Sequence, residues 1–227
     1  MKSSLKIPGE FRVFLNYPFD KEFEPLACAM HFAVVASGLI PVCAKDENAP
    51  DQLRLDMLVS MISSCRFSIH DFSRYKGEGE QNFARFNTPL EMGMALYYAI
   101  STEQREHRCA FFVATPHDYK SFASDLSGLD AKQHANSDVL LVTEIYEWLA
   151  QTGEPYVDAR PTIEVQEKYS HYRKELEKVK GSGKNGWPTH HEVRELMYTM
   201  CSEWGWWDWR NGKFKSLFPK WPLAWKS

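Results

Sequence analysis

The run Asn87-Thr-Pro-Leu-Glu-Met-Gly93 places one carboxylate, Glu91, in the first turn of a helix that Pro89 opens, with a glycine two residues later that permits close approach. A carboxylate there has two uses. It completes a Thr-x-x-Glu capping box with Thr88, or it faces a ligand, where it stabilises developing positive charge or attacks an electrophilic carbon. A second group, His70-Asp71-Phe72-Ser73-Arg74, offers an imidazole and an acid, either of which serves as a general acid if burial shifts its pKa; packing and turn roles are the alternatives. Arg74, Lys76 and Arg85 flank the same loop and suit phosphates or a solvated surface equally. Gly77-Glu-Gly-Glu80 adds flexibility without a Gly-x-Gly-x-x-Gly or Walker pattern, so a dinucleotide or P-loop fingerprint is unsupported.

Other chemistry-bearing residues point nowhere in particular. The five cysteines, Cys28, Cys43, Cys65, Cys109 and Cys201, are odd in number and widely spaced, and no Cys-x-x-Cys occurs. Reduced thiols and no metal site are expected. The adjacent His190 and His191 point to different sides of a helix, which argues against a shared metal. Ser37-Gly38 and Ser127-Gly128 lack the nucleophile-elbow pattern that a hydrolase serine needs.

These residues need elements to hold them. Phe11–Leu15 reads as a first strand, with Pro18 and Asp20 making a turn and a cap. Apolar residues from Phe23 to Val35 then recur at helical spacing until Gly38 closes the helix. Leu39–Cys43 is a second strand, Pro50 opens a second helix, and Cys65–Ile69 is a third strand running into His70–Ser73. A helix from Pro89 to about Ile100 leads to the strand Arg108–Val113; Leu129–His134 reads as a short fifth strand, followed by a helix that Asn136 or Ser137 caps. Alternation at this spacing predicts an α/β fold, a flavodoxin-like parallel sheet of four to five strands flanked by helices. In such a sheet the loops at the carboxyl ends of the strands are where ligands bind, and Asn16–Asp20, His70–Arg74 and 86–93 all fall there.

On Phe86-Asn-Thr-Pro-Leu-Glu-Met-Gly-Met-Ala95, with Asp71-Phe-Ser73 after the third strand and Asn16-Tyr-Pro-Phe-Asp20 after the first, residues 11 to 150 resemble the nucleoside deoxyribosyltransferase-like and TIR-like superfamily. Ser124-Asp-Leu-Ser-Gly-Leu-Asp130 and Trp148-Leu149 are similar to a bacterial TIR-like subfamily with relatives in antiphage defence. The resemblance implies that Glu91 works on an N-glycosidic bond and that Asp71, with Ser73 and Arg74 beside it, helps hold the sugar. It implies further that Tyr17, Pro18 and Phe19 line the base or ribose. Asn87 would then hydrogen-bond a ribose hydroxyl. Where deoxyribosyltransferases carry Asp-x-Gly-Thr before the glutamate, this chain has Arg85-Phe-Asn-Thr-Pro89, which points away from base transfer. The implied activity is cleavage of a nucleotide, NAD(+) foremost, by hydrolysis or cyclisation of ADP-ribose, with NAD(+) as substrate and no cofactor. The alternatives are a silent nucleotide-sensing or assembly module and a nucleoside or deoxynucleotide hydrolase. A homo-oligomer or a defence-system partner protein is the implied assembly.

Residues 1–152 therefore read as the α/β domain and 153–227 as a helical extension, with helices over 162–179 and 189–203 joined by the glycine-rich 181–186. Seven of the eight tryptophans lie between Trp187 and Trp225, interleaved with lysines. Folding back on the core or packing on a subunit is the expected use. Nucleic acid is a poor candidate partner, because the whole chain carries a net charge of -3. The start lacks a signal-type apolar region and no run approaches a membrane span, so a soluble cytoplasmic protein is expected.

Overall fold

The computed structural model describes residues 8–46, 53–74, 87–101, 106–116, 118–121, 123–179, 181 and 188–206. Among these, five strands form one sheet: β1 (Arg12–Asn16), β2 (Ile40–Cys43), β3 (Phe67–Asp71), β4 (Arg108–Val113) and β5 (Lys132–Gln133). Every pairing is parallel and the order is β2-β1-β3-β4-β5, the flavodoxin-like arrangement. The helices are α1 (Glu24–Ala36), α2 (Arg54–Ser63), α3 (Asn87–Ser101), α4 (Asp138–Gln151), α5 (Thr162–Lys178) and α6 (His190–Glu203). None of the described helices is long and apolar enough to cross a membrane.

Successive strand residues point to opposite faces, and the sequence fills both. Phe14 and Val42 meet Met57, Leu58, Met61 and Ile62 of α2 on one face, the side on which α3 also packs. Val13, Leu15, Phe67, Ile69 and Phe112 meet α1 and α4 on the other. Helix α1 is apolar nearly all round, from Ala29 to Ala36, because it is enclosed by the sheet and by α4, α5 and α6. Gly38, at φ 76°, ends it in the left-handed region that favours glycine, and Asp20 caps the short turn before it by accepting from the Phe23 N–H at 2.8 Å.

The helices beyond residue 152 join this core. Tyr169 and Tyr172 of α5 lie 5.0 and 5.4 Å from the Phe32 ring, and Met197 and Cys201 of α6 belong to the same buried cluster. Trp204 and Trp206 fold onto Phe32, each at 6.4 Å. The connector 182–187 and the tail 207–227, with Trp187 and the last four tryptophans, lie outside the described residues.

Three boundaries differ from expectation in ways that matter for the site. Strand β3 runs through Asp71, because Asn16 pairs with His70 and Asp71 with Phe112, so both residues sit in the strand and not in the loop after it. Helix α3 is already helical at Asn87, which moves Glu91 past the first turn. Strand β5 shrinks to two residues, since Lys132 and Gln133 alone align with Phe112 and Val113. Helix α2 starts at Arg54; Pro50, expected to open it, is outside the described residues.

Candidate functional site

In this strand order the chain leaves β1 to opposite sides, toward β2 and toward β3, so the crevice between the carboxyl ends of β1 and β3 is the topological switch point. Asn16, the last residue of β1, bridges it. Its Nδ2 donates to the Thr88 carbonyl at 3.0 Å and lies 2.9 Å from His70 Nδ1, drawing the start of α3 over the strand ends. A carbonyl only accepts, so that nitrogen is the donor; His70 Nδ1 therefore accepts and its proton is on Nε2. His70 is fully buried, its Nε2 has no hydrogen-bond partner, and burial, with the charge of His107 as a lesser cause, lowers its pKa to about 3. The imidazole is neutral at physiological pH.

Glu91 follows Thr88 by three residues, hence on the same side of α3. It is 7% exposed, and burial raises its pKa to about 7, against a smaller opposing pull from Arg54. Thr88 lies inside the helix and no hydrogen bond joins it to Glu91 among the described residues, so a capping box does not account for the carboxylate. Gly93 does not serve close approach: a Cβ built on it meets nothing within 4 Å. Asn87 is exposed at the start of the helix.

Asp71 is adjacent to His70 in β3 and so faces the other side of the sheet. It is fully buried; its Oδ1 accepts from the Ser73 N–H at 2.8 Å and its Oδ2 lies 3.1 Å from His134 Nε2. Ser73 Oγ is 2.7 Å from that same nitrogen. Serine, histidine and aspartate thus meet, but a nucleophilic relay needs acid and serine on different ring nitrogens, and His134 Nδ1 is buried without a hydrogen-bond partner. The Ser73–His134 bond ties the ends of β3 and β5 together, while Asp71 Oδ2, close to the same nitrogen, has no hydrogen bond of its own. Immediately after His134, Ala135 and Asn136 hold φ of 49° and 56°, a conformation that costs an alanine about 1 kcal/mol or more and turns the chain so that Ser137 caps α4 through the Leu140 N–H.

Beside this turn lies a cavity of about 360 Å³, within the small-molecule range, lined by Glu22, Pro25, Leu26, Ser73, Arg74, Asn136, Asp138 and Arg173. Arg74 bonds Glu22 at 2.6 Å, and Arg173 bonds Asp138, which also accepts from the Tyr169 hydroxyl at 3.0 Å. Both guanidiniums are already matched by carboxylates, so an anionic ligand here competes with two ion pairs. Lys76, Arg85 and Phe86 lie outside the described residues.

The expected site residues therefore divide. Glu91 and Asn87 belong to the start of α3, whose Thr88 carbonyl Asn16 holds over the strand ends; Asp71, Ser73 and Arg74 stand on the α1–α4 side. Tyr17 and Pro18 are buried, Tyr17 with its hydroxyl 3.0 Å from His31 Nε2, so neither lines an open cleft. Phe19 is 45% exposed with the Lys45 ammonium 4.9 Å from its ring centroid. Sequence reasoning placed Asn16 in a ligand-side loop without giving it a role and gave His134 none, although Asn16 ends β1 and His134 follows β5 at the carboxyl edge, which is the signal that finds them. No protein-family model and no curated protein matches the chain.

Proposed function

We propose that the chain cleaves the N-glycosidic bond of a nucleotide, NAD(+) foremost, with Glu91 as the carboxylate that meets the ribosyl carbon. The observation that carries this reading is a buried carboxylate at the switch point of a parallel sheet, with no capping bond from Thr88 to explain it and its pKa raised to about 7. In the step proposed, the C1′–N bond breaks, its electron pair leaves with nicotinamide, and Glu91 stabilises the oxocarbenium-like carbon until water adds its oxygen and sheds a proton. Cyclisation replaces that water by a ring nitrogen of the adenine.

The choice of a cationic base is supported by what surrounds Glu91. A neutral purine or pyrimidine must be protonated to leave, and His70, the imidazole at the end of β3, is held neutral by burial. Nicotinamide already carries its charge and needs no proton. Assembly with a second copy, and a place in antiphage defence, remain part of this proposal; sedimentation at assay concentration tests the first.

The experiment is to incubate the wild type and Glu91→Gln at high concentration with NAD(+) and a panel of nucleosides and deoxynucleotides, following free base by liquid chromatography. Release by wild type, reduced at least a hundredfold in the variant, is expected. No release from any substrate, or equal release by both, overturns the reading, and nucleotide binding without turnover would make the chain a sensor.

A further inference from the structure

A separate group of ligating side chains gathers at the carboxyl end of β2. His31 comes from the middle of α1, Cys43 ends β2, and His190 opens α6, 147 residues beyond Cys43. Their ligand atoms all lie within 4.8 Å of one another. Asp46 is at the same place, its Oδ1 3.1 Å from His190 Nε2 and its Oδ2 accepting from the Cys43 N–H at 2.8 Å. Helical periodicity explains why the sequence hid this group: only His190 of the adjacent pair turns inward, while His191 approaches Glu195 on the outer side at 4.0 Å.

We propose that His31, Cys43, Asp46 and His190 form a tetrahedral site for a divalent transition metal of the zinc class, which clasps α6 to the strand ends. The two spacings around His190 fit before any metal is placed, and Asp46 joins the group of three through His190. With Zn–S of about 2.3 Å and Zn–N or Zn–O of about 2.0–2.1 Å, tetrahedral edges are about 3.5 Å from sulfur to nitrogen and about 3.3 Å from nitrogen to oxygen. Cys43 Sγ lies 3.6 Å from His190 Nε2, and Asp46 Oδ1 is 3.1 Å from that nitrogen. His31 is the ligand that must move, toward the other three, as the Tyr17 hydroxyl withdraws from between its Nε2, at 3.0 Å, and Cys43 Sγ, at 3.6 Å.

The donor set and its surroundings agree. One thiolate and one carboxylate supply the two negative charges a divalent ion needs, which leaves the Arg194 cation to its neutral partners, and mixed sulfur, nitrogen and oxygen ligands favour zinc over magnesium or calcium. Arg194, which bonds Asp46, has other anchors in the Pro41 carbonyl and the Tyr198 hydroxyl, both at 3.1 Å, and keeps them when Asp46 turns to the metal. Four protein ligands leave no open position, so the site is structural. It stands apart from Glu91 and does not depend on the glycosidase reading.

The full chain, stripped with a chelator and dialysed, is titrated with Co(2+) and then Zn(2+). One equivalent of Co(2+) should give a thiolate charge-transfer band and tetrahedral ligand-field absorption, displaced by Zn(2+). Both signals should vanish in Cys43→Ser and His190→Asn and persist in His191→Asn. Because Cys43 is fully buried and its variant can lose the fold, the partly exposed His190 carries the comparison, with circular dichroism confirming structure. X-ray absorption on the zinc-loaded wild type decides without any variant: one sulfur at about 2.3 Å with nitrogen or oxygen at about 2.0–2.1 Å is expected. An all-nitrogen-and-oxygen shell, no cobalt spectrum, or a spectrum that survives His190→Asn overturns the proposal and leaves a hydrogen-bonded seam.

Discussion

Glu91 sets a carboxyl group against its own solvation. Its folded-state pKa, about 7, lies above the ordinary 4.5, so the folded chain holds the proton more tightly than the unfolded one. The sign follows: the stabilising contribution of the protonated acid is complete below about pH 4.5 and is lost as pH rises through about 7. At pH 8 the buried carboxylate costs the fold roughly 3 kcal/mol. Glu91→Gln, which removes the charge and keeps the shape, should therefore stabilise the protein at pH 8 by up to that amount and have little effect at pH 4.5. Urea unfolding of both proteins at the two pH values measures it, and a variant less stable at pH 8 would mean the carboxylate is needed for packing. The ionised form is the one the proposed chemistry uses, so base release should climb with pH and reach half its plateau near pH 7. A rate that falls over the same range would instead make Glu91 an acid. A residue that weakens the fold in the state required for reaction is typical of a site tuned for function.

At the scale of elements, the alternating strand and helix periods carried the fold: the parallel sheet and the Gly38 end of α1 were legible in local sequence, and of the two caps it offered for α4, Asn136 or Ser137, the structure uses Ser137. The site was legible only in part, for a physical reason that His70 and Asp71 illustrate. As loop residues they would converge; extended into β3 by pairing to Asn16 and Phe112, they must face opposite sides. Pairing is a long-range property, absent from the residues themselves. The same holds for Thr88, whose helix begins one residue before it, and for His190, which finds Cys43 only when α6 folds back. The turn after β5 is a further case: Asn136 is a residue type that accepts the left-handed region, but nothing announces it for Ala135, which takes it as well. Ala135→Gly should relieve that conformation and raise stability by up to about 1 kcal/mol, read from the shift in the urea midpoint. A loss of stability would show that the alanine methyl contributes packing that outweighs the strain.

For the whole molecule the question is whether the extension after residue 152 is an appendage or part of the fold. Its tyrosines and α6 share one buried cluster with α1 and α4, and Trp206 closes that cluster from outside. The Trp206 ring is 6% exposed, its indole N–H donates to Glu164 at 3.0 Å, and the Arg160 guanidinium lies 5.2 Å from the ring centroid. One side chain therefore joins the end of α6 to the start of α5 and to the loop before it. Trp206→Ala should cost about 3–5 kcal/mol, as other buried tryptophans do, and lower the melting temperature by several degrees. A residue kept for contact with a partner would behave differently, leaving thermal unfolding of the isolated chain unchanged while weakening association. Thermal unfolding of Trp206→Ala beside the wild type separates the two, and an unchanged midpoint would make α5 and α6 an appendage that the α/β sheet does not need.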